Sequence, residues 1–188
     1  MTYKTHTTMA FAICFAPVLL PEQLNFIQYI DISLFPYIFL TIFLFSLFPD
    51  LDEPNSYLSR KPPWNIFSLI ISSFTDHRGV THRFLAIFIP PLIMFFILYS
   101  INKVDTFWPL ILFSFIAYSA HLIGDGFTIG GLKRFFYPFS KKTIWFLPKS
   151  LRFKTNSFTE KIWLFFFTCI FIFEIYIYIQ KTNILNSF

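Results

Sequence analysis

The chain has 188 residues and a net charge of +5, and 55% of its residues are hydrophobic, 23% aromatic and only 13% charged. Soluble domains carry about 25% charged residues, so this composition excludes a disordered chain, a disulfide scaffold and almost any water-soluble fold of this length. The two cysteines, Cys14 and Cys169, lie within apolar runs and are expected to be free thiols. We therefore predict an integral membrane protein.

Five apolar stretches follow one another along the chain: residues 7–20, 32–48, 84–101, 107–123 and 162–179. A helix needs about 20 residues to cross about 30 Å of hydrocarbon, and three stretches approach that length. The first is short enough to be re-entrant, and Pro90 and Pro91 predict a kink in the third. We expect one all-α membrane domain over residues 1–188, a bundle of about five transmembrane or re-entrant helices with a polar cytoplasmic cap.

The basic residues predict the orientation of this bundle. If all five stretches span, then residues 1–6, 49–83 and 124–161 share one side and hold 13 of the 15 Lys and Arg, leaving only Lys103 and Lys181 opposite. The positive-inside rule then places the N-terminus and both long loops in the cytoplasm. Setting topology is the expected role of these charges, with anionic lipid headgroups as partners. Their wide spread predicts no nucleic-acid binding.

All four histidines lie on this predicted cytoplasmic side, together with four aspartates. They are His6, His77, His82, His121, Asp50, Asp52, Asp76 and Asp125. Random placement would distribute polar residues over both sides, so their convergence indicates a common site.

Two loop motifs contribute to this site. Pro49 to Pro54 reads Pro-Asp-Leu-Asp-Glu-Pro, and in an extended or turn conformation its two aspartates can point the same way and reach one cation. The alternative is a solvated turn that ends the helix. In His77-Arg78-Gly79-Val80-Thr81-His82, the glycine permits a turn that brings both histidines together; otherwise they are unrelated interfacial residues.

The third motif ends the fourth apolar stretch. His121 and Asp125 are spaced i, i+4, so both side chains lie on one helix face. They can share an ion, or Asp125 can orient the His121 ring, or the two can form a simple hydrogen-bonded pair. His6, at the start of the first stretch, is an additional candidate ligand or a bystander.

These side chains exceed what one tetrahedral ion needs, which indicates one or two divalent ions. Nitrogen and oxygen ligands suit Zn, Mn, Fe or Ni, and such ions activate water for hydrolysis. The predicted ligands are His6, Asp50, Asp52, His77, His82, His121 and Asp125. Arg78 and Asp76 are the predicted catalytic residues, with Arg78 either clamping a phosphate or carboxylate of the substrate or neutralising Asp76 or Asp50.

The chain resembles the YdjM-like family of LexA-regulated, membrane-bound metal-dependent hydrolases of bacteria. The resemblance rests on the N-terminal His6, Pro49-Asp50-Leu51-Asp52, the His77-to-His82 motif and the His121-to-Asp125 helix end, and it spans almost the whole chain. Arg83 departs from the family pattern, in which a small hydroxyl residue more often follows the second histidine. The resemblance implies a multi-pass protein of the bacterial plasma membrane with a hydrolytic metal site.

We therefore predict a metal-dependent hydrolase at the cytoplasmic face of the membrane, acting on an ester or phosphoester, with a lipid headgroup as one candidate. The alternatives are a metal transporter or sensor, or a scaffold whose metal pins helix ends together. The partners are membrane lipids and a small-molecule or lipid substrate; the sequence does not indicate the oligomeric state. Near the last stretch, Ser157 and Glu160 predict a capping box.

Overall fold

The computed structural model describes residues 1–74 and 78–182, and the regular structure of these residues is helical, which confirms the all-α class. Six α-helices are present in this part of the chain: α1 (Tyr3–Phe15), α2 (Phe35–Phe45), α3 (Trp64–Phe74), α4 (Ile89–Ser100), α5 (Val104–Phe127) and α6 (Phe158–Thr182). Short 3-10 turns connect several of them. The long loop between α5 and α6 is held by two isolated β-bridges, Thr128 with Phe153 and Leu132 with Ile144.

Among the described residues, α5 and α6 are long and apolar enough to cross a membrane. The other three predicted stretches form α1, α2 and α4, which have 13, 11 and 12 residues and continue into 3-10 turns. Each of these helices is shorter than the roughly 20 residues that a perpendicular crossing requires. Full spanning by these three segments, and the N-terminal orientation, therefore stay predictions.

Prolines begin a helix where we expected them to bend one. Pro90 and Pro91 occupy the first turn of α4, and the five residues before that helix, Phe84–Phe88, form a 3-10 turn. The first turn tolerates proline because its N–H groups have no intrahelical partner. The prolines therefore mark the change from 3-10 to α-helix within this stretch, and the kink stays a prediction. A bend does occur in α5, at Phe107, two residues before Pro109.

Helix α3 lies within a segment that we expected to be a polar loop. It packs against the 3-10 turn Phe48–Asp52, where Leu47, Leu51 and Leu58 form a small apolar cluster with Trp64 and Ile71 of the helix. This cluster connects α3 to the turn that carries two of the candidate ligands.

Helix α1 packs against α2, α5 and α6, and α4 packs against α5. Buried side chains such as Phe15, Ile38, Ile42 and Phe113 form the core between these helices. This packing brings the first turn of α1, the turn after α2 and the last turns of α5 to the same end of the bundle. Most of the chain's candidate ligands lie on these three segments.

Candidate metal centre

Three imidazoles and two carboxylates from four chain segments meet at this end of the bundle. His6 lies in the first turn of α1, Asp50 in the turn after α2, His82 in the 3-10 turn Val80–His82, and both His121 and Asp125 in the last two turns of α5. The side chains of the three histidines and Asp125 are at most 1% exposed, and that of Asp50 is 20% exposed. The structure thus brings together five of the seven predicted ligands.

The spacing of three ligand atoms, from Asp50, His82 and His121, suits one metal ion. Asp50 Oδ1 lies 3.5 Å from His121 Nε2 and 3.8 Å from His82 Nε2, and His82 Nε2 lies 3.3 Å from Asp125 Oδ2. Ligands about 2.0–2.2 Å from a tetrahedral ion are roughly 3.3–3.6 Å from one another. Asp50, His82 and His121 therefore approximate part of a coordination shell, and Asp125 lies beside His82.

His6 approaches the same centre from the other side of Asp125. Its Nε2 lies 3.4 Å from Asp125 Oδ1, and its ring stacks on that of His121 with a centroid distance of 3.6 Å and an interplanar angle of 6°. The ligand atoms form two overlapping groups, His6–His121–Asp125 and Asp50–His82–His121, each within 4.8 Å. Because the two groups share only His121 and the two oxygens of Asp125 face different imidazoles, these residues could hold either one ion or two.

Hydrogen bonds orient the histidine rings. Nδ1 of His121 lies 2.7 Å from the carbonyl oxygen of Ser46; when Nδ1 carries the proton and donates it there, the Nε2 lone pair points towards Asp50. His82 Nδ1 lies 3.0 Å from Thr81 Oγ1 and 3.4 Å from Asp52 Oδ2. Nε2 is then the atom of each ring that faces the centre.

Asp52 therefore lies on the opposite ring edge of His82 from Asp50. Its Oδ2 accepts hydrogen bonds from the Thr81 hydroxyl at 2.6 Å and from the Arg78 backbone N–H at 2.9 Å. This is the position of a carboxylate that orients a liganding histidine. The ligand role predicted for Asp52 stays a prediction, whereas its contact with His82 is present in the structure.

Several buried ligand atoms at the centre lack a hydrogen-bond partner within residues 1–74 and 78–182. They are both ring nitrogens of His6, Nε2 of His121 and Oδ2 of Asp125. A buried polar atom without a partner costs about 1–3 kcal/mol. A bound cation would satisfy the atoms that face the centre, Nε2 of His6, Nε2 of His121 and Oδ2 of Asp125, so the donor set fits a metal ion.

The protonation of the two ligands in the connecting turns reflects their neighbours. Burial lowers the pKa of the His82 imidazole, but the close contacts and charges of Asp125 and Asp52 outweigh burial and raise that pKa from 6.5 to about 9. Burial opposes ionisation of Asp50, but the charge and close contact of His121 outweigh it and lower the pKa of Asp50 below its usual value. Asp50 is therefore ionised, and a cation bound at the centre would displace a proton from His82.

Arg78 pairs with Asp125, whereas the ion pair considered from the sequence was with Asp76 or Asp50. Its Nη2 donates to Asp125 Oδ1 at 3.0 Å and its Nη1 donates to the carbonyl oxygen of Gly131 at 3.3 Å. The amino group of Met1 donates to the same Asp125 oxygen at 2.9 Å. Two further predicted site residues, Asp76 and His77, lie outside the described residues.

A cavity of about 380 Å³ opens beside the centre. Asp50 and Asp125 line it together with Arg60, Arg78 and Tyr57. Two candidate carboxylate ligands thus border a space large enough for water and a substrate group, while the three described histidines do not line it. Our sequence reasoning missed Tyr57, and it missed Thr81 although that hydroxyl is adjacent to a candidate ligand.

The sequence matches the YdjM inner membrane protein family over residues 1–184. The chain belongs to this family. The resemblance of the motifs is therefore confirmed at the level of the family, and so is a place in the inner membrane. Searches among curated proteins and solved structures found no significant match. Metal-dependent hydrolysis and regulation by LexA stay predictions for this YdjM-family protein.

The start of α6 lies close to the start of α1 in this family member. The predicted capping box forms in part, because Ser157 Oγ accepts a hydrogen bond from the Glu160 N–H at 3.3 Å. The Glu160 carboxylate instead accepts hydrogen bonds from the backbone N–H groups of Asn156 and Thr2. Glu160 therefore holds the segment immediately before His6.

Proposed function

We propose that this chain is a metal-dependent hydrolase in which one or two divalent transition-metal ions activate water for attack on an ester or phosphoester. The supporting observation is the convergence of His6, Asp50, His82, His121 and Asp125 at ligand-like spacings in a buried centre. Unpartnered ring nitrogens add support, because their burial without a cation is costly.

The donor set and the position of the cavity both bear on the chemistry. Imidazole and carboxylate ligands suit Zn, Mn, Fe or Ni. Such an ion, when bound, lowers the pKa of a water ligand and stabilises negative charge that develops on the substrate. Catalytic metal sites keep a position open for water, whereas structural sites are closed by protein ligands. Asp50 and Asp125 border the cavity, which supports an open position.

The chain's own residues have distinct roles in this proposal. Asp52 and the Ser46 carbonyl hold the His82 and His121 rings, and so direct their Nε2 atoms to the centre. Arg78, held by Asp125 and Gly131 and only 15% exposed, borders the cavity and stabilises negative charge on the substrate. Asp76 is retained as a proposed catalytic residue on the sequence motif alone.

We further propose a multi-pass topology with the N-terminus and the metal centre at the cytoplasmic face. The distribution of Lys and Arg supports this orientation, because 13 of the 15 lie in segments on the proposed cytoplasmic side. The proposed ligands also come from one end of the bundle. Further from that end, the part of α5 that precedes His121 places apolar side chains such as Phe113 and Ala117 in the core. Transport across the membrane is less well supported, since it requires ligands nearer the midplane.

A metal-pinned scaffold is the second candidate. Complete burial of the three imidazoles, which come from α1, α5 and a connecting turn, supports a role in joining chain segments. The two functions differ in whether an exchangeable ligand position remains on the metal.

Elemental analysis of detergent-purified protein tests the proposal. Wild type is expected to hold one or two transition-metal ions, and Asp50→Asn and His121→Ala are expected to lose most of this metal. X-ray absorption spectroscopy of the loaded protein then separates the two candidates, because a catalytic site retains a water ligand and a scaffold site does not. Wild type that stays empty when offered Zn, Mn, Fe and Ni refutes both functions.

A further inference from the structure

The cavity beside the metal centre has the chemistry of an anion site. We propose that it binds the phosphate group of a membrane lipid phosphate ester, with Arg60 and Arg78 as the cationic ligands of that phosphate. This inference rests on the proposed function, because it names the substrate class of the same site.

The charges around the cavity favour an anion once a metal is bound. The side chains that line it include three carboxylates, from Asp50, Glu53 and Asp125, and two guanidinium groups. The carboxylates outnumber the guanidinium groups by one, so even a single divalent ion makes the cavity positive. A phosphate ester is an anion that both a metal ion and arginine bind well.

Arg60 is available for such a ligand. Its side chain is exposed at the cavity, and it makes no hydrogen bond or ion pair with any residue that the structure describes. Arg78, by contrast, is already anchored by Asp125 and Gly131. The guanidinium fork matches phosphate oxygens in pairs, so Arg60 at the open side and Arg78 at the metal side can hold one phosphate between them.

Helix α3 indicates that this phosphate comes from a lipid. The helix begins four residues after Arg60, and its 11 residues extend only about 16 Å, too short to cross the membrane. Five large apolar side chains on it are 51–85% exposed: Ile66, Phe67, Leu69, Ile70 and Phe74. In an inner membrane protein, such a surface is covered by acyl chains. Arg60 and Lys61 precede it, as basic residues do at the level of lipid headgroups.

The test is binding of a short-chain lipid phosphate, dihexanoyl phosphatidate, to the zinc-loaded, detergent-purified chain by isothermal titration calorimetry. Glycerol 3-phosphate carries a phosphate without acyl chains, and dihexanoylglycerol carries acyl chains without a phosphate. Wild type is compared with Arg60→Gln and with Arg134→Gln, which removes the same charge from an exposed position in a different loop. The zinc content of every sample is measured in parallel.

We expect wild type to bind the phosphatidate at least about tenfold more tightly than either analogue. Arg60→Gln should weaken this binding about tenfold or more, because charge-assisted hydrogen bonds are lost, and Arg134→Gln should leave it unchanged. Equal binding of glycerol 3-phosphate would identify a free phosphate ester as the ligand and overturn the lipid assignment. Equal binding of dihexanoylglycerol, or an unaffected Arg60→Gln, would overturn the phosphate assignment.

The zinc measurement separates this inference from the proposed function. Wild type that holds zinc but does not bind phosphatidate overturns the lipid phosphate site and leaves the hydrolase proposal standing. Wild type that holds none of Zn, Mn, Fe and Ni when offered each, but binds phosphatidate through Arg60, supports the lipid site and overturns the hydrolase proposal. Wild type that holds none of these metals and does not bind phosphatidate overturns both.

Discussion

Two aspartates separated by one residue are expected to affect metal binding to different extents. Asp50 presents Oδ1 to the Nε2 atoms of His82 and His121, which is a ligand position. Asp52 contacts the opposite ring edge of His82, at Nδ1, and accepts hydrogen bonds from residues beside it. We predict that Asp50→Asn weakens zinc affinity more than Asp52→Asn does.

The magnitudes follow from the two positions. Structural zinc binding is worth about 10–16 kcal/mol for four ligands, or about 2.5–4 kcal/mol for each. Replacing the charged Asp50 ligand with a neutral amide is therefore expected to cost about 10²- to 10³-fold in zinc affinity. Loss of a carboxylate that orients a liganding histidine typically costs about 10- to 100-fold, which is the range expected for Asp52→Asn.

Competition with a chromogenic chelator measures these affinities on detergent-purified protein. Asp105→Asn is a suitable control, because this exposed aspartate lies in the first turn of α5, at the far end of the helix from the site. The control should match wild type. If Asp52→Asn proves as damaging as Asp50→Asn, or more so, the assignment of ligand and orienting residue is wrong.

Three further predictions concern the surroundings of the centre. Glu160→Ala removes a buried carboxylate that accepts two backbone N–H groups, so thermal unfolding should show a loss of about 1–3 kcal/mol, with the exposed Glu22→Ala near wild type. In Gly130→Ala, the new Cβ would overlap Arg78 Nη1 and displace that guanidinium group, so phosphatidate binding should fall severalfold at unchanged zinc content; unchanged binding would contradict this. Because the pKa of His82 is about 9, zinc binding below that pH should release its proton, and affinity should fall roughly tenfold for each unit that the pH falls from 8 to 6. Calorimetry in two buffers with different ionisation enthalpies gives the number of protons released for each zinc ion bound. If that number is zero, His82 is neutral before zinc binds.

The fold class was predictable because composition dominates it. A chain with 13% charged residues and long apolar stretches has few alternatives to a helical membrane bundle. Helix α3 was missed because its 11 residues fall below the length that defines a membrane span. The start of α4 at Pro90 was not predictable, because a proline in an apolar run either kinks a helix or begins one, and the choice depends on packing that a single sequence does not reveal.

The site was predictable to the extent that local geometry determines it. Residues spaced i, i+4 in a helix share one face, so the proximity of His121 and Asp125 was predictable, and the structure shows both at the centre. Asp50 and Asp52 were expected to point the same way, as they would in an extended segment. They lie instead in a 3-10 turn with about three residues per turn, where side chains two positions apart face different directions. The contact of His121 with Ser46 had no signal in residue type, because Ser46 acts through its backbone carbonyl.

The 3-10 turn Phe48–Asp52 links the exposed apolar surface of α3 to the candidate metal centre. Its three successive residues face three different partners: Asp50 faces the Nε2 atoms of the centre, Leu51 is buried in the apolar cluster with α3, and Asp52 contacts the Nδ1 edge of His82. The helix that we propose to lie against lipid is thereby packed directly against the segment that positions two carboxylates. Because protein interiors are close-packed, a displacement of α3 would be transmitted through Leu51 to both aspartates. The proposed ligand positions and the proposed lipid contact therefore depend on the same few apolar side chains.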